Sequence, residues 1–439
     1  MNSVMKSKTP PKSLKGRVQT PGDKSISHRA LIFGALAEGV THITGLLEGD
    51  DILHTADAVR AFGAKVKHVS LGHWQVEGVG SAGWRSPKTP VDFGNAGTGA
   101  RLVMGAAAGF DIQVSYLGDA SLSSRPMGRV LEPLEQMGAK FDSADNKLPI
   151  AQIQGGRLNP IQYTPPHASA QVKSAILLAG LNTIGTTELT ETRLTRDHTE
   201  NMLGSFGVKV LRKPKDKGQT VTLEGPAHLQ ATNIKVPGDP SSAAFLIAAA
   251  LVVPGSDIIV ENVMMNPTRT GLFETLTEMG AFIRADNFRR SGGETIADLH
   301  IRHSKLRGVT IPSDRVPSMV DEYPVLAVIA ATARGQTIMH GLAELRVKES
   351  DRLAGTHAML MANGVDTNID GDTLIVTGGK ITGGAKVKTH HDHRLAMSAL
   401  ILGLAADKPV SIDDSSMIAT SFPAFFDLMA TIGAPMDVS

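Results

Sequence analysis

Cysteine is absent from the 439 residues, which removes disulfides, thiolate metal sites, iron–sulfur clusters and a cysteine nucleophile together. That absence is compatible with the cytosol. Aromatic residues are scarce at 4%, too few for the stacking platforms that single-stranded nucleic acid needs. Neither sign of charge dominates: 44 Lys and Arg stand against 43 Asp and Glu, a net charge of +1. No general field therefore draws nucleic acid or an anionic membrane to the chain. Long apolar runs are missing as well, since stretches such as Ala243 to Val253 fall short of the roughly 18 residues a membrane span needs. The opening MNSVMKSKTPPKSLKG is basic and contains proline but has no apolar stretch of signal-peptide type, so it reads as a short disordered lead-in. The length suits two domains of about 200 residues each.

What is present is repetition. VQTPGDKSISHRALIFGALAEG begins at Val18 and IKVPGDPSSAAFLIAAALVVPG at Ile234, and their Pro-Gly-Asp triplets lie 216 residues apart. A second signal recurs six times: a helix-like stretch ends in glycine and passes into a strand, at Gly63, Gly138, Gly207, Gly280, Gly364 and Gly433. The intervals run from 69 to 84 residues. Glycine just past a helix end adopts the left-handed conformation at little cost, so the pattern reads as one helix C-cap made six times. Between the caps lie six helices apolar on most faces, such as SSAAFLIAAALVV and DEYPVLAVIAATARG, whereas RVLEPLEQMG and FETLTEMG are amphipathic. Each unit thus predicts a buried helix, strands, an exposed helix and a closing strand. Three units per half make two similar α/β domains, with a hinge where Pro21-Gly22 and Pro237-Gly238 cross and a ligand cleft beside it.

The starts of the apolar helices are polar. They carry Asp23-Lys24-Ser25 with Arg29, Asn95-Ala96-Gly97-Thr98 with Arg101, Ser169-Ala170-Gln171 with Lys173, Asp321-Glu322, and Asp392-His393-Arg394. Capping alone explains Ser, Thr, Asn or Asp at any one helix start. Arg29, Arg101, Lys173 and Arg394 in or near first turns oppose the helix dipole, however, and together predict an anion from outside the chain. Loops add Arg125 and Arg129, Arg193 and Arg196, and Arg346, Lys348 and Arg352. Glu349, between Lys348 and Arg352, is either a member of a salt-bridge cluster or a carboxylate placed for proton transfer. GNAGTG lacks the ending of a P-loop and the spacing of a dinucleotide fingerprint. His390-His391-Asp392-His393 does not have metal-ligand spacing, and Ser25, Ser27 and His28 lack an identifiable third member of a catalytic triad.

PGDKSISHRAL, GNAGTGARL, SSRPMGR, SAQVKSAILLAGL, TRDHTENML, DEYPVLA, LRVKESDRL and DHRLAMS, in that order, resemble the 5-enolpyruvylshikimate-3-phosphate synthase family, and its bacterial class II branch in particular. The resemblance runs from about Lys15 to Pro423. It implies an inside-out α/β barrel fold of two domains, each of three βαβαββ units around buried helices, the enolpyruvyl transferase fold. The N-terminal strand is expected to return to the C-terminal domain. The implied boundaries are 21–238 for a lobe that mainly binds shikimate 3-phosphate, and 1–20 plus 239–439 for a lobe with phosphoenolpyruvate and proton-transfer groups, with the hinge near 21–22 and 237–239. The implied reaction joins phosphoenolpyruvate to the 5-hydroxyl of shikimate 3-phosphate with release of phosphate, in a cytoplasmic monomer with no metal or organic cofactor.

Residue by residue, the resemblance gives Ser25 and Arg29 the shikimate carboxylate. Ser169, the Ala170 backbone and Arg196 take the 3-phosphate, with Gln171 against the ring. Asp321 and Lys348 meet ring hydroxyls. Lys24, which touches both substrates, takes the phosphoenolpyruvate phosphate with Asn95, Gly97 and Arg125, and Gln171 also faces this substrate. Arg352 and Arg394 take its carboxylate. Lys24, Asp321 and Glu349 are the implied catalytic residues. Two departures stand out: ATSFPAF has Thr420 where many members have lysine, and Gly97 keeps a small residue where some class II relatives carry alanine. That position governs glyphosate binding in the family, but Ala100 and Leu102 also differ from sensitive forms, so inhibitor sensitivity stays open. The pattern has two rivals. UDP-N-acetylglucosamine enolpyruvyl transferase normally uses a loop cysteine, and the matching loop here is Ser123-Ser124-Arg125. A non-catalytic anion-binding protein on the same repeats would not need Lys24, Asp321, Glu349 and Arg352 together.

Overall fold

Six Schellman turns organise the structure, a computed structural model that describes residues 5–7 and 12–438. Its helices are α1 (Lys24–Leu36), α2 (Asp50–Ala61), α3 (Gly97–Ala108), α4 (Ala120–Ser124), α5 (Gly128–Gln136), α6 (Ala170–Gly180) and α7 (His198–Ser205). There follow α8 (Pro240–Val252), α9 (Gly271–Glu278), α10 (Tyr323–Ala331), α11 (Arg352–Ala362), α12 (His393–Leu402) and α13 (Phe425–Thr431). Helices α2, α5, α7, α9, α11 and α13 are each followed within two residues by one of the six glycines, whose φ angles lie between 82° and 113°. After each glycine the next N–H returns to a carbonyl five residues back: Ala64 to Val59, Ala139 to Leu134, Val208 to Leu203, Ala281 to Leu276, Val365 to Leu360 and Ala434 to Met429. The repeat read from the sequence is a repeat of hydrogen bonds.

The other set, α1, α3, α6, α8, α10 and α12, is interior. All thirteen residues of α8 and all nine of α10 are buried, as all-round apolar sequences require. Small residues let these helices approach closely: a Cβ on Gly105 of α3 would lie 2.4 Å from the Ala175 carbonyl of α6. Two compact units result, one of 22–236 with 291–294, the other of 1–21, 237–290 and 295–439. They are called here the N-terminal and C-terminal units. The chain passes between them at Pro21/Gly22 and Val236/Pro237, and the short segment Ser291–Glu294 also groups with the N-terminal unit.

Among the described residues there are six four-stranded sheets, each built on one parallel pair extended by antiparallel strands. The parallel partner comes from far along the chain in two of them. Asn233–Lys235, the last strand of 22–236, lies beside Val40–Thr44, the first, so the N-terminal unit closes on itself. In the C-terminal unit, Lys15–Gln19 lies parallel to Asp257–Met264. Met5–Lys6 forms a strand between Ser411–Ile412 and Asp437–Val438. This corrects the disordered lead-in: Met5–Lys6 is paired in a sheet, and residues 1–4 and 8–11 lie outside the described residues. No helix among the described residues is long and apolar enough to cross a membrane.

A second glycine recurs where a hairpin strand leaves its sheet. A Cβ on Gly78, Gly155, Gly225 or Gly378 would fall 2.1, 2.4, 2.3 or 1.8 Å from the carbonyl of Ala37, Phe110, Thr183 or Ala333, just beyond the end of an interior helix. In the fourth unit His303 stands in the matching place and bonds Leu251 O through Nδ1 at 2.7 Å. Gly378→Ala is expected to destabilise the C-terminal unit by about 1–3 kcal/mol through overpacking. Calorimetry of the variant should show its melting transition several degrees lower, with the reaction chemistry unchanged at 20 °C below the transition.

Candidate active site

In the N-terminal unit α3 packs against both α1 and α6, and side chains tie the starts of α3 and α6 together. Asp23 caps α1 by accepting from Ile26 N at 2.8 Å, which leaves Lys24 as the first helical residue, paired with Asp51 of α2. Ser169 caps α6 through Val172 N, and Ala170 opens that helix. Gln171 ties α6 to α3: its Oε1 accepts from Arg101 Nη1 at 2.8 Å, and its Nε2 donates to Thr98 Oγ1 at 2.9 Å. Asn95, in the turn before α3, donates to Asp119 Oδ2 at 2.9 Å and accepts from Arg125 Nη2. Arg125 also reaches Ser121 Oγ at 3.1 Å. A Cβ on Gly97 would meet Arg101 Nη1 at 3.1 Å and Arg125 Nη1 at 3.2 Å, so glycine is what lets both guanidiniums lie over this turn.

Arg29 is buried at 2% exposure. Burial pulls its guanidinium down to about 10, and nearby Arg196 adds to the fall while Glu200 and Asp23 oppose it. Arg196 is half-buried two residues before α7. His28 is held neutral, first by burial and then by Lys24 and Arg29, with Nδ1 2.8 Å from Thr55 Oγ1. Ser27 Oγ accepts from Leu47 N, so its bonding is structural.

One expectation fails here. Lys173, expected to meet an external anion, is fully buried and its partners are internal: Glu191 Oε2 at 2.9 Å and Glu200 Oε1 at 2.7 Å. Gln219 Nε2 also donates to Glu191 at 2.8 Å. Beside this network lies a small, open recess lined by His167, Ser169, Lys173, Glu191, Arg193 and neighbours. Asp197, His198 and Glu294 bring donor atoms within 4.8 Å of one another, the one such group among the described residues. His198 Nδ1 is 2.9 Å from Glu294 Oε1, and Asp197 holds Arg212 at 2.8 Å.

The C-terminal unit gathers a denser cluster. Asp321 and Glu322 sit in the 3-10 turn Val320–Glu322 that leads into α10. Arg352, expected in a loop, is the first residue of α11 and only 1% exposed. Its Nε donates to Asp392 Oδ2 at 2.8 Å, its Nη1 to Asp321 Oδ1 at 3.1 Å, and its Nη2 pairs with Glu349. Asp392 caps α12 through Arg394 N at 2.9 Å and also accepts from Ser350 Oγ at 3.0 Å. Arg394 Nη1 donates to Asp321 O at 3.2 Å, with Glu322 Oε1 3.8 Å away. Glu322 in turn accepts from Ser241 Oγ, which Arg269 Nη2 reaches at 2.9 Å. Burial works to raise the Asp392 carboxyl, but Arg352 overrides it and holds it below the usual carboxylate range. Burial works against the charge on Arg352, yet Asp392, Glu349 and Asp321 together raise it. Lys348 is half-buried, and its ammonium is pushed down by burial against the pull of Asp321 and Glu349.

The structure thus brings Lys24, Asn95, Gly97, Arg125 and Gln171 around adjoining helix starts, with Ser25, Arg29, Ser169, Ala170 and Arg196 beside them. It brings Asp321, Lys348, Glu349, Arg352 and Arg394 together in the other unit. Sequence reasoning does not find Asp51 and Asp392 as partners of the predicted cations Lys24 and Arg352, nor Asp119 as the partner of Asn95. The only trace of Asp51 and Asp392 in the sequence is their position at helix starts, which capping explains equally well.

A family model described as EPSP synthase (3-phosphoshikimate 1-carboxyvinyltransferase) matches residues 8–429. A 3-phosphoshikimate 1-carboxyvinyltransferase of Maricaulis maris is 54% identical over 440 residues, covering 100% of this chain and 98% of its own. One from Afipia carboxidovorans is 57% identical over 425 residues, 96% of each chain. The solved EPSP synthase of Acinetobacter baumannii superposes with a TM-score of 0.89 at 43% identity, over the whole of both chains.

Proposed function

The chain belongs to the EPSP synthase family and transfers the enolpyruvyl group of phosphoenolpyruvate to shikimate 3-phosphate; from that premise we propose how its residues divide the work. Ser25 and Arg29 take the ring carboxylate of shikimate 3-phosphate. Ser169, the Ala170 N–H and Arg196 take its 3-phosphate at the start of α6, where free N–H groups and the helix dipole favour an anion. Gln171, fixed between Arg101 and Thr98, lies against the ring and the second substrate. Asp321 and Lys348 hold ring hydroxyls. The phosphate of phosphoenolpyruvate goes to Lys24, the Asn95–Gly97 turn and Arg125, and its carboxylate to Arg352 and Arg394. The N-terminal unit, in this reading, mainly binds shikimate 3-phosphate, and the C-terminal unit supplies the proton-transfer carboxylates.

The 5-hydroxyl oxygen bonds to C2 of phosphoenolpyruvate as its own proton passes to the Lys24 and Asp321 groups and C3 gains a proton, which gives a tetrahedral adduct. Loss of phosphate from C2 and of a proton from C3 then restores the double bond. Positive character at C2 suits a site with carboxylates set among arginines. The observation that carries this assignment is the match of three carboxylates to the single buried Arg352 guanidinium. A substrate carboxylate joining that group adds a fourth negative charge, which favours protonating one of the three. Glu349 is the most exposed of them, with 24% of its side chain open against 16% for Asp321 and 0% for Asp392, so it exchanges protons most readily. Lys24 and Asp321 complete the proton path.

All the groups named lie in one chain, so the scheme needs no second copy; in this reading the enzyme is a cytoplasmic monomer whose partners are its two small substrates. The test is phosphate release with each substrate alone and with both. Phosphate is expected only when both are present, in step with an enolpyruvyl product seen by 31P NMR. Release from phosphoenolpyruvate alone would overturn the reading.

A further inference from the structure

We propose that Ser174 and Thr199 are positioning residues for Arg29, turning one edge of its guanidinium toward the ring carboxylate of the substrate. The inference rests on the assignment of Arg29 to that carboxylate.

Arg29 Nε donates to Thr199 Oγ1 at 2.8 Å, Nη2 to Ser174 Oγ at 2.9 Å, and Nη1 to the Ser25 carbonyl at 2.9 Å. The two hydroxyls are themselves 2.7 Å apart. Ser174 Oγ lies 2.7 Å from the Ala170 carbonyl, which can only accept, so the serine proton goes there. Thr199 must then donate to Ser174. Every proton in the chain thus has one direction, and both hydroxyls present lone pairs to the guanidinium. The side-on edge of Arg29, made by Nε and Nη2, is committed to this pair. Of its five N–H donors three are used, and the end-on edge between Nη1 and Nη2 is the geometry that grips a carboxylate with two parallel bonds.

The same hydroxyls join two assigned subsites. Arg29 stands on α1, Thr199 is the second residue of α7, and Ser174 bonds back to Ala170, the first residue of α6. Ala170 lies beside Ser169, which takes the phosphate at the far end of the substrate. Ser174 and Thr199 are 0% exposed, so water does not replace a lost hydroxyl, and Arg29 would be left with a buried N–H lacking its acceptor.

The experiment compares Thr199→Val, Ser174→Ala and the conservative Thr199→Ser in the full-length enzyme. Thr199→Val and Ser174→Ala are expected to raise KM for shikimate 3-phosphate about tenfold or more, the usual scale for a hydrogen bond to a charged group. KM for phosphoenolpyruvate should move less than twofold, and Thr199→Ser should restore the parent value. The deciding ligand is shikimate 3-phosphate with its carboxylate reduced to a hydroxymethyl group. It is expected to bind the parent more weakly and to bind Thr199→Val equally well, because there is no carboxylate left for Arg29 to address. An equal loss for both ligands, or a parallel rise in KM for phosphoenolpyruvate, would make the pair merely structural and overturn the proposal. Should Thr199→Val fail to fold, the same comparison is made with Ser174→Ala, the smaller change. Arg29→Ala separates the premise: if it binds shikimate 3-phosphate as the parent does, the assignment of Arg29 falls. If it loses binding while Thr199→Val and Ser174→Ala do not, only the positioning role falls.

Discussion

Arg352→Ala is expected to lose about 2–5 kcal/mol of transition-state binding, which is roughly thirtyfold to several thousandfold in kcat/KM. The size follows from what the side chain touches. One guanidinium, 1% exposed, bonds Asp392 through Nε, Asp321 through Nη1 and Glu349 through Nη2. Its removal takes away the cation proposed to grip the phosphoenolpyruvate carboxylate and leaves three carboxylates facing one another. Arg352→Lys should recover little, because a single ammonium cannot match three directions of bonding. A variant within about threefold of the parent in steady-state kinetics would sink the assignment.

The same substitution has a signature in pH. In the parent, the Asp392 carboxyl is held below its unfolded value, so its contribution to stability is present above about pH 4 and is lost as pH falls through the folded value. In Arg352→Ala that contribution disappears, and the remaining carboxylates bind protons more readily in the folded state than in the unfolded one. The variant should therefore be weakest relative to the parent near pH 8, with the gap in Tm narrowing toward pH 5. A gap that stays constant over that range would mean that the cluster is not what Arg352 stabilises.

Much of this architecture could be read before any coordinates, because its strongest constraints are local. A glycine at a helix C-cap and an alanine-rich helix with no polar face each leave a trace within a dozen residues, and six copies make the trace unmistakable. Pairing across the chain leaves no such trace. The strand Met5–Lys6 is two residues in a basic, proline-containing segment, and its place between Ser411–Ile412 and Asp437–Val438 is decided by partners over 400 residues away. The close-approach glycines at Gly78, Gly155, Gly225 and Gly378 look like ordinary turn residues until the carbonyl facing each is known.

The site shows the same division. Arg101 and Lys173 occupy similar places near the starts of α3 and α6, so the sequence treats them alike. One donates to Gln171 and the Pro126 carbonyl, while the other is enclosed by Glu191 and Glu200 from a neighbouring strand and helix. Side-chain type and spacing identify a cation at a helix start. Whether its anion is internal depends on elements that pack there from elsewhere. Arg352 makes the converse point: placed in a loop by its mixed-charge neighbours, it is instead a helix residue whose burial rests on Asp392, forty residues on.

Lys173→Met is expected to be among the most damaging changes to stability in the N-terminal unit, because it removes charge and leaves volume nearly unchanged. Glu191 and Glu200 would remain buried with no cation between them, a loss of about 3–5 kcal/mol for breaking a buried ion pair. In a unit of this size that corresponds to a fall in Tm of roughly 6–20 °C. Burial already raises the Glu200 carboxyl above its ordinary value, and Lys173 is what opposes the rise. A carboxyl raised in the folded state costs stability as pH climbs above its unfolded value, so the deficit should be largest near pH 8 and smallest near pH 5. Adding Glu200→Gln to Lys173→Met removes one stranded charge and should return part of the lost Tm and flatten its dependence on pH. Scanning calorimetry of the two variants at pH 5 and 8 checks both statements. A Lys173→Met transition within 2 °C of the parent at pH 8 would show that the two glutamates do not need this lysine, and that α6 starts beside Ser169 and Ala170 without it.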